Sequence, residues 1–206
     1  MYCHNCGFET ENESCPKCGT SIVKSDSKII TSWRKETDLK KVAKHPDVLD
    51  QIHEFSKLSN ERINSQYLLD KFDLVFGTFT GASTNLIIEI ATPIYAKLGV
   101  KTGKKSELTL DIPINEVFVK LLCAISANKK LEFNEFHQAI DGLLIICKVK
   151  PDLLSYKGDL LITLKEKNHE VITEFNLVIK GQLYDFGKSK RIVAKVISDL
   201  KSIGLS

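Results

Sequence analysis

The spacing of the apolar residues changes near residue 104, and this change most constrains the fold. Before it, apolar residues recur at helical spacing, and after it they alternate with polar residues in short runs. The clearest run covers residues 171–179. Every second residue there is predicted to lie on one face of a strand: Val171, Thr173, Phe175, Leu177 and Ile179. Because successive residues of a strand point to opposite sides of a sheet, the second half of the chain is expected to form a sheet over a core.

Residues 104–206 are predicted to form a β-α-β-β-β-β-α unit with an antiparallel sheet. A first strand alternates at Leu108, Leu110 and Ile112, and Pro113 opens a helix. Short polar segments separate four further strands, as antiparallel hairpins require. These strands are predicted at residues 131–140, 143–149, 160–165 and 171–179. A final amphipathic helix follows, and helices on one face of such a sheet define the α+β class.

Composition divides the rest of the chain into three smaller parts. Residues 1–22 hold two cysteine pairs, and residues 23–35 are predicted to be a polar linker whose one docking point is Trp33. Residues 36–103 are predicted to be a central helical segment, because apolar residues recur there at helical spacing. The two clearest stripes are Val48, Leu49, Ile52, Phe55 and Leu58, and then Leu86, Ile90, Ile94 and Leu98.

Four of the six cysteines lie in the first 18 residues, in two Cys-x-x-Cys-Gly motifs. In each motif the glycine can adopt left-handed backbone and expose N–H groups toward the sulfurs. Two such turns complete a tetrahedral set of four thiolates, which is typical of structural zinc. The pattern predicts one structural Zn²⁺ bound by Cys3, Cys6, Cys15 and Cys18. A closed set of four ligands leaves no position for a substrate, so a catalytic role for the metal is not expected.

The motifs CHNCG and CPKCG resemble the zinc ribbons at the N-termini of many prokaryotic proteins. The second motif also resembles the iron knuckle of rubredoxin-like modules, and four thiolates alone suit either metal. Zinc is favoured because such iron modules usually accompany di-iron bundles with repeated Glu-x-x-His. Here that pattern occurs once, at residues 166–169, in a polar turn.

The predicted order of elements in residues 104–206 resembles a single repeat of the TATA-binding-protein fold, and also the helix-grip folds that hold apolar ligands. The stretch YDFGKSKRIV resembles the tyrosine/tryptophan-glycine-lysine start of the last helix in small bacterial domains of unknown function. These resemblances imply a fold and no activity.

The segment GQLYDFGKS suggests a phosphate-binding loop, but its spacing is wrong. Five residues separate Gly181 from Gly187 where the motif requires four, and Tyr184, Asp185 and Phe186 put bulk and negative charge where phosphate would lie. Residues 185–187 also match the kinase Asp-Phe-Gly motif, without its other elements. No enzyme site is therefore expected.

The functional expectation is a non-enzymatic adaptor that carries a zinc ribbon and binds a protein or nucleic-acid partner. Lys188, Arg191 and Lys195 follow helical spacing on the expected outer side of the last helix, and they are the candidate partner contacts. The net charge of +3 gives no strong overall field. The chain starts without a basic segment followed by an apolar run, so a cytoplasmic location is expected, with no transmembrane segment.

The alternative hypothesis is a carrier that holds an apolar small molecule or lipid between the sheet and the helices. A cavity of roughly several hundred Å³ lined by the inner face of the sheet would favour the carrier. A filled core with a basic or apolar outer patch would favour the adaptor. The identity of the partner and the oligomeric state stay open.

Overall fold

The computed structural model describes residues 16–18, 33–58, 101–153, 156–180 and 186–205. It has an α+β fold with a five-stranded antiparallel sheet, so the predicted class is confirmed. The elements follow in this order: a 3₁₀ turn at Trp33–Lys35, helices α1 (Leu39–Lys44) and α2 (Pro46–Lys57), strand β1 (Lys101–Leu110), helix α3 (Ile114–Ala127), strands β2 (Leu131–Ala139), β3 (Gly142–Val149), β4 (Gly158–Lys167) and β5 (Glu170–Lys180), and helix α4 (Lys188–Ser202).

The strand order across the sheet is β1-β5-β4-β3-β2, with antiparallel pairing throughout. Strands β2 to β5 form a meander, in which each strand pairs with the next along the chain. β1 instead pairs with β5, from Lys101 opposite Lys180 to Leu110 opposite Val171. Because β1 and β2 lie at opposite edges, helix α3 carries the chain across one face of the sheet.

The main core lies between that face and the helices. Its strand side chains alternate along β3, β4 and β5, whereas a register shift between Phe133 and Glu135 interrupts the alternation in β2, and none of them is more than 4% exposed. They are Leu131, Phe133, Phe136, Leu143, Ile145, Cys147, Val149, Leu160, Ile162, Leu164, Val171, Phe175, Leu177 and Ile179. β3 also buries Leu144 and Ile146 on the opposite face, in a second apolar cluster. Burial on both faces explains why the β3 sequence is continuously apolar rather than alternating.

Helix α3 is the centre of the helical layer. All of residues 117–126 except Lys120 are buried, because α3 packs against the sheet on one side and against α1 and α2 on the other. A helix enclosed in this way has to be apolar around most of its circumference. Helix α4 packs beside it, against α3, β1 and β5.

Trp33 docks the 3₁₀ turn onto the start of α3. Its side chain is 2% exposed, and Asn115 Nδ2 donates hydrogen bonds to the carbonyl oxygens of Trp33 (3.2 Å) and Arg34. Arg34 stacks over the indole ring at 4.6 Å, and its Nε lies 3.5 Å from a Glu116 carboxylate oxygen. α1 and α2 share the main core with α3 and the sheet. The domain boundaries at residues 22, 35 and 103 stay predictions.

Candidate functional site

Three of the four predicted zinc ligands, Cys3, Cys6 and Cys15, lie outside the described residues. Cys18 is exposed and belongs to a turn at residues 16–18. In the described ranges, no group of three or more His, Cys, Asp or Glu is placed to hold a metal ion. The chemistry of the predicted set, four thiolates, still fits zinc, so the zinc site stays a prediction from the two sequence motifs.

The other two cysteines are part of the main core. Cys123 lies in α3 and Cys147 in β3, and both are fully buried. Burial raises the pKa of the Cys123 thiol to about 12 and also raises the pKa of the Cys147 thiol, because a thiolate would lose its hydration there. Both thiols are therefore protonated near neutral pH, and as buried thiols they belong to the apolar core.

The Gly-Lys-Ser segment starts helix α4. Gly187 has a φ of +74°, in the left-handed region that favours glycine, and Lys188 is the first helical residue. The Lys188 side chain is 1% exposed. Its Nζ donates hydrogen bonds to the carbonyl oxygens of Lys150 (2.7 Å) and Tyr156 (3.4 Å), and it lies 3.5 Å from the Asp152 carboxylate. The expectation that Lys188 is exposed is wrong.

The burial of Lys188 has a simple physical reason. Its apolar stem packs inside the protein, and its ammonium group reaches carbonyl oxygens of the connection between β3 and β4. Lys188 thus ties that connection to the start of α4. Its ammonium group contacts backbone carbonyl oxygens and the Asp152 carboxylate. The absence of nucleotide binding stays a prediction.

Arg191 and Lys195 remain exposed on α4. Arg191 Nη1 donates to the Phe186 carbonyl oxygen at 3.0 Å, and Lys195 Nζ lies 2.6 Å from Asp199 Oδ1, one helical turn away. Of the three predicted partner contacts, the structure therefore keeps two on one outer surface and separates Lys188 from them.

Arg191 and Lys195 border a groove of about 510 Å³ between three helices, here called the α2–α4 groove. It is bounded by the end of α2, the end of α3 with the turn that follows, and one side of α4. Its apolar lining comprises Phe55, Leu58, Ala127, Ile192 and Ile203, and its polar lining comprises Asn128, Lys129, Lys130, Arg191, Lys195, Asp199 and Ser202.

The charges around the groove are unbalanced. Among the residues that the structure describes, four cationic side chains line it, against one carboxylate, that of Asp199. Asp199 already contacts Lys195, and Lys130 lies 4.0 Å from Asp152 outside the lining. The groove therefore offers an apolar floor inside a net positive border.

The sequence analysis missed Lys129 and Lys130 as site residues. They lie in the turn between α3 and β2, far along the chain from α4. Two adjacent lysines in a turn are ordinary surface residues, and nothing in their local pattern indicates that α4 packs next to them. Only the packing of α4 against α3 brings the two pairs of cations together.

A second pocket, of about 550 Å³, lies at the other end of α3. It is bounded by residues 34–37, the start of α3 and the turn between β2 and β3. Basic groups (Arg34 and Lys35) and acidic groups (Glu36, Asp141 and Glu166) both line it, so its charge favours no class of ligand.

Neither pocket is lined by the strand residues of the main core. None of the helices in the described ranges is long and apolar enough to span a membrane. No model of a known protein family matches this chain, and no curated protein matches it.

Proposed function

We propose that this protein is a non-enzymatic adaptor, in which a zinc ribbon and the α2–α4 groove present binding surfaces to a protein partner. The packing between the helices and the sheet is the observation that carries the proposal. An empty cavity large enough for a ligand would give the side chains around it a clearly larger exposed fraction. Instead, the strand side chains of the main core are at most 4% exposed. This close packing of the described core residues supports the adaptor over a carrier with its cargo between sheet and helices.

The alternative, a carrier with its cargo between sheet and helices, gains no support from this packing. The open apolar surface near the predicted partner contacts lies outside the core, in the α2–α4 groove. Surfaces that combine an apolar centre with a polar border are typical of protein–protein contacts. Nucleic acid is the second proposed class of partner, because four cations border the groove.

The zinc ribbon is proposed to fold as a small module of its own. Its apolar residues are too few for a core, so metal binding would supply its folding free energy. Thiolate zinc sets persist in reducing compartments, and the cytoplasm is accordingly the proposed location. The order of strands and helices from β1 to α4 supports the proposed likeness to TATA-binding-protein-like and helix-grip folds.

The experiment that tests the proposal compares partner capture with ligand content. The tagged full chain is used to capture proteins from its native cells, with and without nuclease treatment, and each captured protein is then purified and titrated against the chain. We expect saturable binding of one purified protein after nuclease treatment. Native mass spectrometry of the purified chain serves as the second measurement. If the purified chain contains one apolar molecule per chain, and no purified protein binds the chain, the carrier is established instead.

A further inference from the structure

The floor of the α2–α4 groove is an apolar surface whose outer residues are exposed and whose base is made of core residues. Leu58, which caps the end of α2, is 67% exposed, and Phe55 one turn earlier is half-buried. Ile192 of α4 and Ile203, the residue after its last turn, form the base, and both belong to the main core. A large exposed side chain next to core residues is a suitable anchor point for an apolar group of a partner.

The border of the groove sets the charge of the occupant. Lys129 and Lys130 line it from the turn after α3, and Arg191 and Lys195 line it from α4. Arginine has five N–H donors and lysine three, so the contacts with Phe186 and Asp199 use only part of their capacity. Charge complementarity therefore favours carboxylates on both flanks of an apolar stripe.

The shape of the groove favours a helical occupant. Its described lining comes from helix ends, a turn and the side of α4, and no residue of that described lining belongs to a strand that could pair with an extended peptide. An amphipathic helix in such a groove places apolar anchors at positions i, i+3 or i+4, and i+7. Arg191 and Lys195 are four residues apart on α4, so they match acidic residues that are repeated once per turn of the occupant.

We infer that the α2–α4 groove binds an acidic amphipathic helix of the partner protein, with its apolar stripe on Leu58 and Phe55 and its carboxylates facing Arg191, Lys195, Lys129 and Lys130. This inference rests on the adaptor function proposed above and specifies the chemistry of its protein contact. A nucleic acid would meet the same cations, but it would leave the apolar floor uncovered.

The test is a selection from a displayed library of random peptides about four helical turns long, with the full chain as bait. We expect the enriched peptides to be net acidic, with apolar residues at i, i+3 or i+4, and i+7. Synthetic copies of the enriched peptides are then titrated against variants of the full chain by fluorescence anisotropy. Their binding should weaken as salt is raised, because exposed charges are screened.

Two pairs of variants isolate the groove. Arg191→Glu with Lys195→Glu should weaken peptide binding by about tenfold or more. Lys190→Glu with Lys201→Glu makes the same charge change on exposed residues of α4 outside the groove, and it should alter binding less than about twofold. Leu58→Ala should weaken binding about fivefold or more. The control for Leu58→Ala is Leu153→Ala, which truncates a fully exposed leucine outside the groove.

The outcomes separate this inference from the adaptor proposal. Enrichment of basic or non-amphipathic peptides, no enrichment at all, or equal binding by the groove and control variants would overturn the inference. If a purified cellular partner binds all variants equally, the adaptor stands and the groove is not its site. If peptides bind the groove as expected but no cellular protein binds the chain, the adaptor proposal fails alone.

Discussion

Replacement of Lys188 tests the most unexpected contact in the structure, a buried lysine in a segment that looks like a phosphate-binding loop. Lys188→Met keeps the length of the apolar stem and removes only the ammonium group. The hydrogen bonds to the carbonyl oxygens of Lys150 and Tyr156 are then lost. A hydrogen bond to a charged group contributes about 1.5–3 kcal/mol to stability. Asp152 is exposed enough to regain water, so its ion pair adds at most about 1 kcal/mol.

The expected loss for Lys188→Met is therefore about 1.5–4 kcal/mol of unfolding free energy. Lys188→Ala also removes three buried methylenes, worth about 0.8 kcal/mol each. It regains up to about 2 kcal/mol of side-chain entropy, so a loss of about 2–4 kcal/mol is expected. In a chain of this length, each kcal/mol lowers the melting temperature by about 2–4 °C.

The assay is urea unfolding followed by circular dichroism, with thermal melting as a second measurement. The control is Lys190→Met, an exposed lysine on the same turn of α4, which should change stability by less than about 0.5 kcal/mol. If Lys188→Met unfolds at the same urea concentration as the control, the ammonium group is not held by the carbonyl oxygens, and the argument for a structural lysine is refuted.

Three further predictions concern the metal, the nucleotide and the buried thiols. Protein purified without added metal should contain about one equivalent of zinc by elemental analysis, and Cys15→Ser should remove it while leaving the melt of residues 36–206 nearly unchanged; stoichiometric iron would contradict this. Calorimetric titration with ATP or GTP should show no saturable binding, and micromolar binding that Lys188→Ala abolishes would contradict the interpretation of the Gly-Lys-Ser segment. Because burial raises the pKa of the Cys123 thiol from 9.0 to about 12, the folded state holds that proton more tightly, so the contribution of the thiol to stability is full below pH 9 and is lost as the pH rises toward 12. Unfolding free energies at pH 8 and pH 10.5 should therefore differ more for the wild type than for Cys123→Ala, and equal pH dependence would show that the thiol is not buried when folded.

The strands show how much of the secondary structure the local sequence patterns predict. The run predicted at residues 171–179 is observed as β5 (Glu170–Lys180), and the run predicted at residues 143–149 lies within β3 (Gly142–Val149). β1 was harder to predict, because it begins at Lys101, before the first alternating apolar residue, Leu108. Its early residues, KTGKKSE, carry no apolar alternation, yet they pair with β5 as far as Lys180. Pairing with a partner strand extended β1 beyond what its own residues indicate.

The candidate site was predictable only in part. Arg191 and Lys195 could be placed on the outer side of α4 because the apolar stripe defines the inner side. Lys188 follows the same spacing, but it lies at the first turn, where the β3–β4 connection covers it. Lys129, Lys130 and Leu58 come from other elements, and no local signal joined them to α4.

The sequence by itself determined the α+β class, the helical periods of α2, α3 and α4, the alternation of β5, and the two Cys-x-x-Cys-Gly motifs from which zinc is predicted. Each of these depends on residues close together in the chain, where periodicity and turn chemistry act directly. Tertiary structure alone decided that β1 pairs with β5, that Lys188 is buried, and that three helices enclose the α2–α4 groove. Those features depend on contacts between segments that are distant in the chain. A lysine stem can lie in water or against a core at similar local cost, so only the arrangement of the neighbouring carbonyl oxygens decides which occurs.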